Sequence, residues 1–465
     1  MLERRNFLGL NRCWKQLNRF GFVEYETKKD ILLFFVSMVL LDKKIEGFLQ
    51  NFTILKNKDK FNWSELSSLS PSNMNLVFYK SRYNGQSLAA YVSAQIQERC
   101  SVQLWSFKEF PTMESKQLQK FIQRVKEIDI TSLSSFSLIL RFLQEKKSNS
   151  QSGQCFTPFH IADFIAELAG SLDAKSVLDP SCGLGDLLVS IKKDDHSFKV
   201  TEGWELDPFL AECARFNLWL RDQKQYKILN QNALEKRSSD QKFDLILANP
   251  PFGNGKRIFL GKGESDKTKT SRLELAFLDR IMGLVSDSGF AFVILPLGFL
   301  HSLSKSHQYI RQRLVEEFEI EGIIEFPKGV FLPSTGIRTT LIVFSRSKPE
   351  VPQETIWYYK VRSDGYSKDN IRRTIPENDL PDLKRAWVRR KEKPEEGLTQ
   401  SFESLRVDEV RNNNYILFPE IVLKQKINEK STQQKSIEEL LGELKSIENK
   451  RRKNLKSLEK LMNEE

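Results

Sequence analysis

Four consecutive residues, Asn249-Pro250-Pro251-Phe252, bring together a carboxamide, two rings that stiffen the chain and an aromatic face. They follow an almost uninterrupted apolar run, Phe243-Asp-Leu-Ile-Leu-Ala248, that reads as a buried strand. The prolines fix the backbone and remove two N–H donors, so the loop leaving the strand exposes carbonyl acceptors. Such a set suits an exocyclic amine. The Asn249 side-chain oxygen and the Pro250 carbonyl can each accept one hydrogen bond from an NH2 group while Phe252 stacks on the attached ring. The amine's lone pair is then drawn out of conjugation and aimed at an electrophile. The bland alternative is a plain strand-to-turn transition. Asn-Pro turns are common, but Asn-Pro-Pro-Phe at the end of an apolar strand is much rarer.

Seventy positions before Asn249, a second strand pattern ends in an acid and opens a glycine turn: Val177-Leu178-Asp179-Pro180-Ser181-Cys182-Gly183-Leu184-Gly185-Asp186. A Gly-x-Gly turn lets the backbone approach a ligand closely, yet alone it identifies no cofactor. Glu205 adds weight, because it ends the next candidate strand and can accept both hydroxyl hydrogens of a ribose. The third glycine of the dinucleotide fingerprint is missing, so a nucleoside without a pyrophosphate fits better. A constellation rich in acids and poor in lysine suits the sulfonium cofactor S-adenosyl-L-methionine over NAD.

The elements that must position these groups follow from apolar spacing. Candidate strands at 176–179, 199–205, 226–230, 243–248, 289–295, 320–326 and 339–345 alternate with helical patterns such as Pro208–Arg221 and Glu274–Leu284. That alternation predicts an α/β class with a mostly parallel, doubly wound sheet and helices on both faces. Residues 1–148 read as an α-helical domain, with helical spacing around Ile31–Leu41 and Leu118–Ile130. Residues 149–350 read as the catalytic domain and 351–423 as an extension. In it, a hairpin is expected at Thr355–Arg362, turning at Ser363-Asp364-Gly365, with a charged linker from Lys384 to Gly397. In 424–465, apolar residues from Ile437 through Leu440, Leu444, Ile447, Leu455 and Leu458 to Met462 step by threes and fours, with Arg451 breaking the series. That pattern describes a coiled-coil-like helix with a stutter, which wants a partner.

Charge and composition bound the rest. The chain of 465 residues carries a net charge of +11. Residues 1–150 hold 23 basic against 14 acidic side chains, while the middle is close to neutral, so the basic excess sits at the ends. A polyanionic partner is implied. The longest apolar runs fall far short of the ~20 residues that span a bilayer, so no membrane association is expected. Five cysteines (Cys13, Cys100, Cys155, Cys182, Cys213) without a C-x-x-C pair indicate neither a disulfide framework nor a metal site, and a reducing cytoplasm is the simplest location.

Taken in order, Gly153-Gln154-Cys155-Phe156-Thr157-Pro158, Asp179 to Gly185, Glu205-Leu-Asp207-Pro208, Asn232-Ala-Leu and Asn249-Pro-Pro-Phe252-Gly resemble the N6-adenine DNA methyltransferases. The resemblance is closest to the modification (M) subunits of type I restriction-modification systems. It continues through Phe331-Leu-Pro-Ser-Thr-Gly336, Asp364-Gly-Tyr-Ser and Asn414-Tyr-Ile-Leu417, strongly over 150–420 and only architecturally over the N-terminal helices. It implies a Rossmann-like S-adenosylmethionine-dependent domain. Gln154, Cys155, Phe156, Thr157, Pro158 and Phe159 would line the methionine end of the cofactor. Asp179 and the turn Cys182, Gly183, Leu184, Gly185 and Asp186 would hold its amino-acid moiety, Glu205 its ribose and Asn232 its adenine. Asn249, Pro250, Pro251 and Phe252 would hold the target adenine. Two positions depart from the family pattern: Asp186 stands where a small residue is usual, and Asn232 where aspartate is common.

The resemblance further implies double-stranded DNA as substrate and a target adenine flipped out of the helix. The elements leave no room for a sequence-reading domain, so target choice would come from a partner. The implied partner is a specificity (S) subunit flanked by two M subunits, joined by restriction (R) subunits for cleavage, with the terminal helix as docking element. Two alternatives stand beside this reading. One is a solitary RNA or protein methyltransferase; the other is a scaffold that retains the fold with weakened activity.

Overall fold

The structure is a computed structural model. It describes residues 2–22, 24–44, 88–106, 110–126, 156–191, 200–223, 225–235, 241–261, 268–332, 334–346, 352–369, 372–390, 402–422 and 444–452, with a few isolated positions between them.

A nine-stranded sheet organises the chain from residue 176 onward. Its strands are β1 (Ser176–Asp179), β2 (Val200–Glu205), β3 (Tyr226–Asn230), β4 (Phe243–Ala248), β7 (Val285–Pro296), β8 (Glu319–Glu325), β9 (Thr339–Ser345), β10 (Thr355–Lys360) and β13 (Phe402–Arg406). They lie in the order β13-β10-β8-β9-β7-β4-β1-β2-β3. The strands from β3 to β7 pair in parallel, whereas β9 runs antiparallel to both β7 and β8, and β13 antiparallel to β10. A two-stranded hairpin, β5 (Asn254–Phe259) with β6 (Lys269–Arg272), projects between β4 and β7 in sequence.

Residues alternate faces along each strand, and the two faces feed two cores. Leu178, Ile246, Val293, Ile323 and Ile342 pack on one side with Leu275, Leu278 and Ile281 of the helix Leu273–Leu284 and with Ile310 and Leu314 of Lys305–Glu317. Val177, Leu245, Leu247, Ile294, Ile324 and Leu341 pack on the other with Ile161, Ile165 and Leu168 of Phe159–Ala169 and with Trp387. Strands buried on both sides read as continuous apolar runs, which is why β4 and β9 are nearly unbroken.

The N-terminal region is helical in its described residues: Leu2–Arg19, Tyr25–Lys44, Leu88–Cys100 and Ser115–Lys126. Every residue from Asp30 to Leu41 is buried, the expected position of a helix that is apolar all round. Phe34 and Phe35 anchor an aromatic cluster with Phe78 and Phe110. The helix Pro208–Leu220 joins this region to the sheet. Asp207 caps it by accepting from the Phe209 and Leu210 amides at 2.9 and 3.2 Å, and Pro208 starts it. Leu210, Cys213 and Phe216 face the N-terminal helices while Ala211, Ala214 and Leu218 face the sheet. Gln103 N donates to Glu212 and Lys44 pairs with Asp222 across the same junction.

Two expectations for 351–423 need correction. Thr355–Lys360 forms no hairpin with the residues that follow; it enters the main sheet, parallel to β8 and antiparallel to β13. Its Ile356 to Tyr359 are all buried, and a strand covered on both faces is stable inside a sheet. The turn residues Asp364–Tyr366 (β11) instead pair with Thr374–Asn378 (β12). The start of the expected linker is helical, because Leu380, Leu383 and Trp387 form a buried stripe in Leu380–Val388. Residues 391–397 lie outside the described residues.

Arg311 closes the fold at its C-terminal side. It is wholly buried, and its guanidinium donates to the Phe299, Tyr415 and Asn414 carbonyls at 2.8, 2.6 and 3.4 Å. Asn414 and Tyr415 both adopt left-handed backbone (φ 52° and 58°), and Leu417 N donates to Leu300 O. Residues 444–452 are helical, with Leu444 and Ile447 about two-thirds exposed; most of the expected seam lies outside the described residues.

Candidate active site

β1 and β4 are adjacent parallel strands, so the loops leaving their carboxyl ends meet at one edge of the sheet. From β1 come Asp179 and the turn. Asp179 is buried, and its Oδ1 accepts from Ser181 N at 2.9 Å. Burial pushes its carboxyl pKa up to about 8, with Glu205 and Asp186 adding to the effect, against the lowering influence of the Ser181 hydrogen bonds. Cys182 N donates to Trp204 O, and Gly183 and Gly185 take the left-handed conformations (φ +53° and +77°) that make the turn tight. The Gly183 position opens onto the Phe156 ring, 3.7 Å from where a Cβ would stand.

Glu205 ends β2 beside this turn. Its Oε2 accepts from Gly183 N at 2.9 Å and its Oε1 from Asp207 N at 2.8 Å, which fixes the carboxylate in place. Burial raises its pKa in spite of those two bonds. A carboxylate has about four acceptor sites, so two remain for ligand hydroxyls. Two desolvated acids, Asp179 and Glu205, flanking one turn favour a cationic, hydroxyl-bearing ligand, and this acceptor set fits S-adenosylmethionine.

From β4 comes Asn249. Its Nδ2 donates to Thr157 Oγ1 at 3.0 Å, and both residues are buried. Anchoring the nitrogen on Thr157 turns the amide oxygen to the opposite side. The segment Phe156-Thr157-Pro158 thus touches both halves of the site, the turn through Phe156 and the target loop through Thr157. Gly253 follows with φ +110°, and its N–H donates to Glu274 Oε2 at 3.0 Å; Arg272 holds the other oxygen of Glu274 at 2.9 Å.

The other expected residues take the following places. Pro250 is buried and Pro251 half-buried, and the Phe252 ring lies in the apolar cluster below the sheet edge, 6% exposed. Pro158 and Phe159 are half-buried at the start of the helix Phe159–Ala169. Cys182 is buried and its thiol pKa is raised by that burial, so it is no nucleophile. Leu184 turns its side chain into the N-terminal core while its carbonyl accepts from Asn217 at 2.9 Å. Asp186 is buried as the first residue of the short helix Asp186–Ser190. Asn232 lies after β3, half-buried, with Oδ1 accepting from Leu234 N at 3.1 Å. Gln154 and Cys155 lie outside the described residues.

Two groups that position the site were not read from the sequence. Glu274 is buried at the start of a helix whose other charged residues are Asp279 and Arg280, and its place between two leucines is the signal that could have marked it. His160 donates from Nε2 to Asp364 Oδ2 at 2.9 Å, Arg372 pairs with the same carboxylate, and Tyr366 lies against the His160 ring at 4.3 Å. This ties the β11–β12 hairpin to the residues next to Thr157. Burial acts to raise the Asp364 pKa, but the His160 hydrogen bond and Arg372 charge hold it below the usual carboxylate value.

A parallel sheet that carries an acid-ended glycine turn and an Asn-Pro-Pro-Phe loop on adjacent strands defines the methyltransferase class. The chain belongs to the N-6 DNA Methylase family, which matches residues 136–431. It is 28% identical over 262 residues to the type I restriction enzyme EcoEI methylase subunit of Escherichia coli, a match covering 52% of this chain and 53% of that protein. The chain spans about half the length of the curated relatives it matches. Its fold is similar to the type I restriction-modification system methyltransferase subunit from Streptococcus thermophilus, with TM-score 0.57 at 18% identity over 90% of this chain and 98% of that one. It is also similar to a chain of a solved type I R-M system, with TM-score 0.55 at 21% identity over 94% and 98% of the two chains.

Proposed function

We propose that this protein methylates N6 of adenine in double-stranded DNA as the modification subunit of a type I restriction-modification system. The observation that carries the proposal is the Asn249–Thr157 hydrogen bond, which ties the target loop to the segment whose Phe156 ring lies against the Gly183 turn, the turn whose amide Glu205 holds. S-adenosylmethionine, when bound, supplies an electrophilic methyl carbon. Glu205 would receive its ribose, Asp179 and the turn its charged end, and Asn232 its adenine, with Gln154 to Phe159 assigned to the methionine side. Asn249 and the Pro250 carbonyl accept the two N–H groups of the target amine, Pro251 holds the loop rigid, and Phe252, 6% exposed before the base arrives, would turn its ring onto it. Transfer of that methyl group to the target amine would release the thioether, with the amine's extra proton passing to water, while Asn249 and the Pro250 carbonyl keep the amine's lone pair aimed. Orientation does most of the work. Stacking on Phe252 recovers roughly 1–3 kcal/mol of the few kcal/mol that flipping costs.

The division of labour follows the same reading. The basic region 1–148 closes on DNA phosphates, 149–350 carries the chemistry, 351–423 adds strands to the sheet and 424–465 docks partners. Exposed Leu444 and Ile447 on the described part of the tail helix support a docking role, in a complex of two M subunits with one S subunit that R subunits can join. Asn249→Ala should abolish methyl transfer to matched duplex with donor binding intact. Long-read sequencing of host DNA with and without the gene reads the outcome in the cell. No change in N6-methyladenine at any motif would refute the activity.

A further inference from the structure

The described residues enclose a cleft of about 700 Å³ that the donor cradle does not use. It is lined by Arg257 of β5, Lys269 to Arg272 of β6, Glu274, Pro296 at the end of β7, and the segment from Gly298 to His307. Because Pro296 ends β7, the strand beside β4, the cleft opens at the same sheet edge as Asn249. Glu274 connects the two places physically: one oxygen holds Gly253 N, next to Phe252, and the other holds Arg272 on the cleft wall.

The wall chemistry is cationic and hydroxylic. Arg257 and Lys269 are exposed, and among the described residues no carboxylate pairs with either. Glu274, the one carboxylate on the wall, is already paired with Arg272. Burial, with the Arg311 charge adding to it, lowers the His307 pKa to about 4, so this imidazole is neutral near pH 7 and the positive charge comes from the hairpin. Ser302, Ser304 and Ser306 also line the cleft, with Ser304 Oγ bonded to His307 Nδ1 at 2.6 Å and 3.3 Å from Ser306 Oγ. Arginine and lysine with serine hydroxyls are the groups that bind phosphodiesters. The near-neutral middle of the chain therefore places beside the target loop two cations without a carboxylate partner among the described residues, Lys269 resting over the Phe259 ring at 4.2 Å.

Resting on the function proposed above, we infer that this cleft seats the DNA phosphodiester strand next to the flipped adenine, with Arg257 and Lys269 as its principal phosphate contacts. Such contacts hold the backbone in register while Asn249 receives the base, and they carry no sequence information.

The test is binding of the full-length chain to a fluorescent duplex by anisotropy between about 50 and 200 mM salt, with donor affinity measured by calorimetry in parallel. The double variant Arg257→Gln/Lys269→Gln should bind roughly 10- to 100-fold more weakly at low salt, with a salt slope shallower by about 2. Its donor affinity should be unchanged, and Lys227→Gln on the far edge strand should behave as wild type. A double variant with wild-type duplex affinity and slope overturns the cleft assignment while leaving the methyltransferase reading intact. Charge dependence seen only with adenosine monophosphate, with duplex binding unaltered, also overturns it. A wild-type chain that binds neither duplex nor S-adenosylmethionine refutes the reading itself, and the cleft proposal with it.

Discussion

Replacing Thr157 by valine tests whether the donor side and the target side of the site are coupled through one hydrogen bond. Valine keeps the volume and branching of threonine and removes only the hydroxyl, so packing should change little. Asn249 Nδ2, now 3.0 Å from Thr157 Oγ1, loses this hydrogen bond in a buried position. Leaving a buried donor unsatisfied costs about 1–3 kcal/mol. The amide can escape part of that cost by rotating half a turn, which would present its NH2 to the target amine where an oxygen is needed. Converted at about 1.4 kcal/mol per factor of ten, transfer should slow by roughly 5- to 150-fold. Single-turnover transfer of a labelled methyl group, at saturating donor and matched duplex, measures that step directly. Thr157→Ser restores the hydroxyl and should recover most of the rate. If the defect of Thr157→Val disappears at saturating donor, Thr157 acts on the donor alone and the coupling argument fails. Equal impairment of the serine and valine variants would refute it too.

Three further outcomes follow from the same geometry. Asp179, raised by burial, binds a proton more readily folded than unfolded, so apo-protein stability should fall as pH rises from about 4 through about 8. Asp179→Asn should flatten that pH profile in thermal melts and raise the melting temperature near pH 8, while donor affinity by calorimetry drops. Gly203→Ala places a Cβ 2.6 Å from Ile228 Cδ1 and 2.9 Å from Cys182 Sγ; it should cost about 1–3 kcal/mol in denaturant titration and weaken donor binding by displacing the turn. Asp364→Ala leaves His160 and Arg372 without their shared carboxylate and should destabilise by about 3–5 kcal/mol. With its folded pKa depressed, the Asp364 contribution is present above its unfolded pKa near 3.9 and is lost as pH falls below it, so wild type and variant should converge in acid melts.

The strands that hold the site were legible because each ends where its apolar run meets a breaker. β1, β3, β4 and β9 begin and end where the spacing places them, and Asp179, Glu205 and Asn249 all lie at or just beyond a carboxyl end. Pairing partners were less visible. β10 looks locally like one arm of a hairpin, and only the distant strands β8 and β13 show why its residues are apolar on both faces. β5 and β6 were missed because Asn254–Phe259 is solvated and carries Lys256 and Arg257 without apolar alternation. Glu274 resembles an ordinary acid in the first turn of a helix until Gly253 N is found on it. The His160–Asp364 contact spans 204 positions, a separation that no periodicity reports.

The Arg311 staple gives the C-terminal segment a mechanical meaning. Asn414 and Tyr415 spend conformational energy in left-handed backbone so that their carbonyls face the same guanidinium that grips Phe299 O. Phe299 and Gly298 form a wall of the cleft beside the target loop. The carbonyls of Asn414 and Tyr415 and that of Phe299 on the wall are thus held by one side chain, while Leu417, Phe418 and Val422 pack in the core beyond them. Cutting ahead of Asn414 would remove two of the three carbonyls that hold Arg311 and leave its guanidinium, buried, on Phe299 O alone.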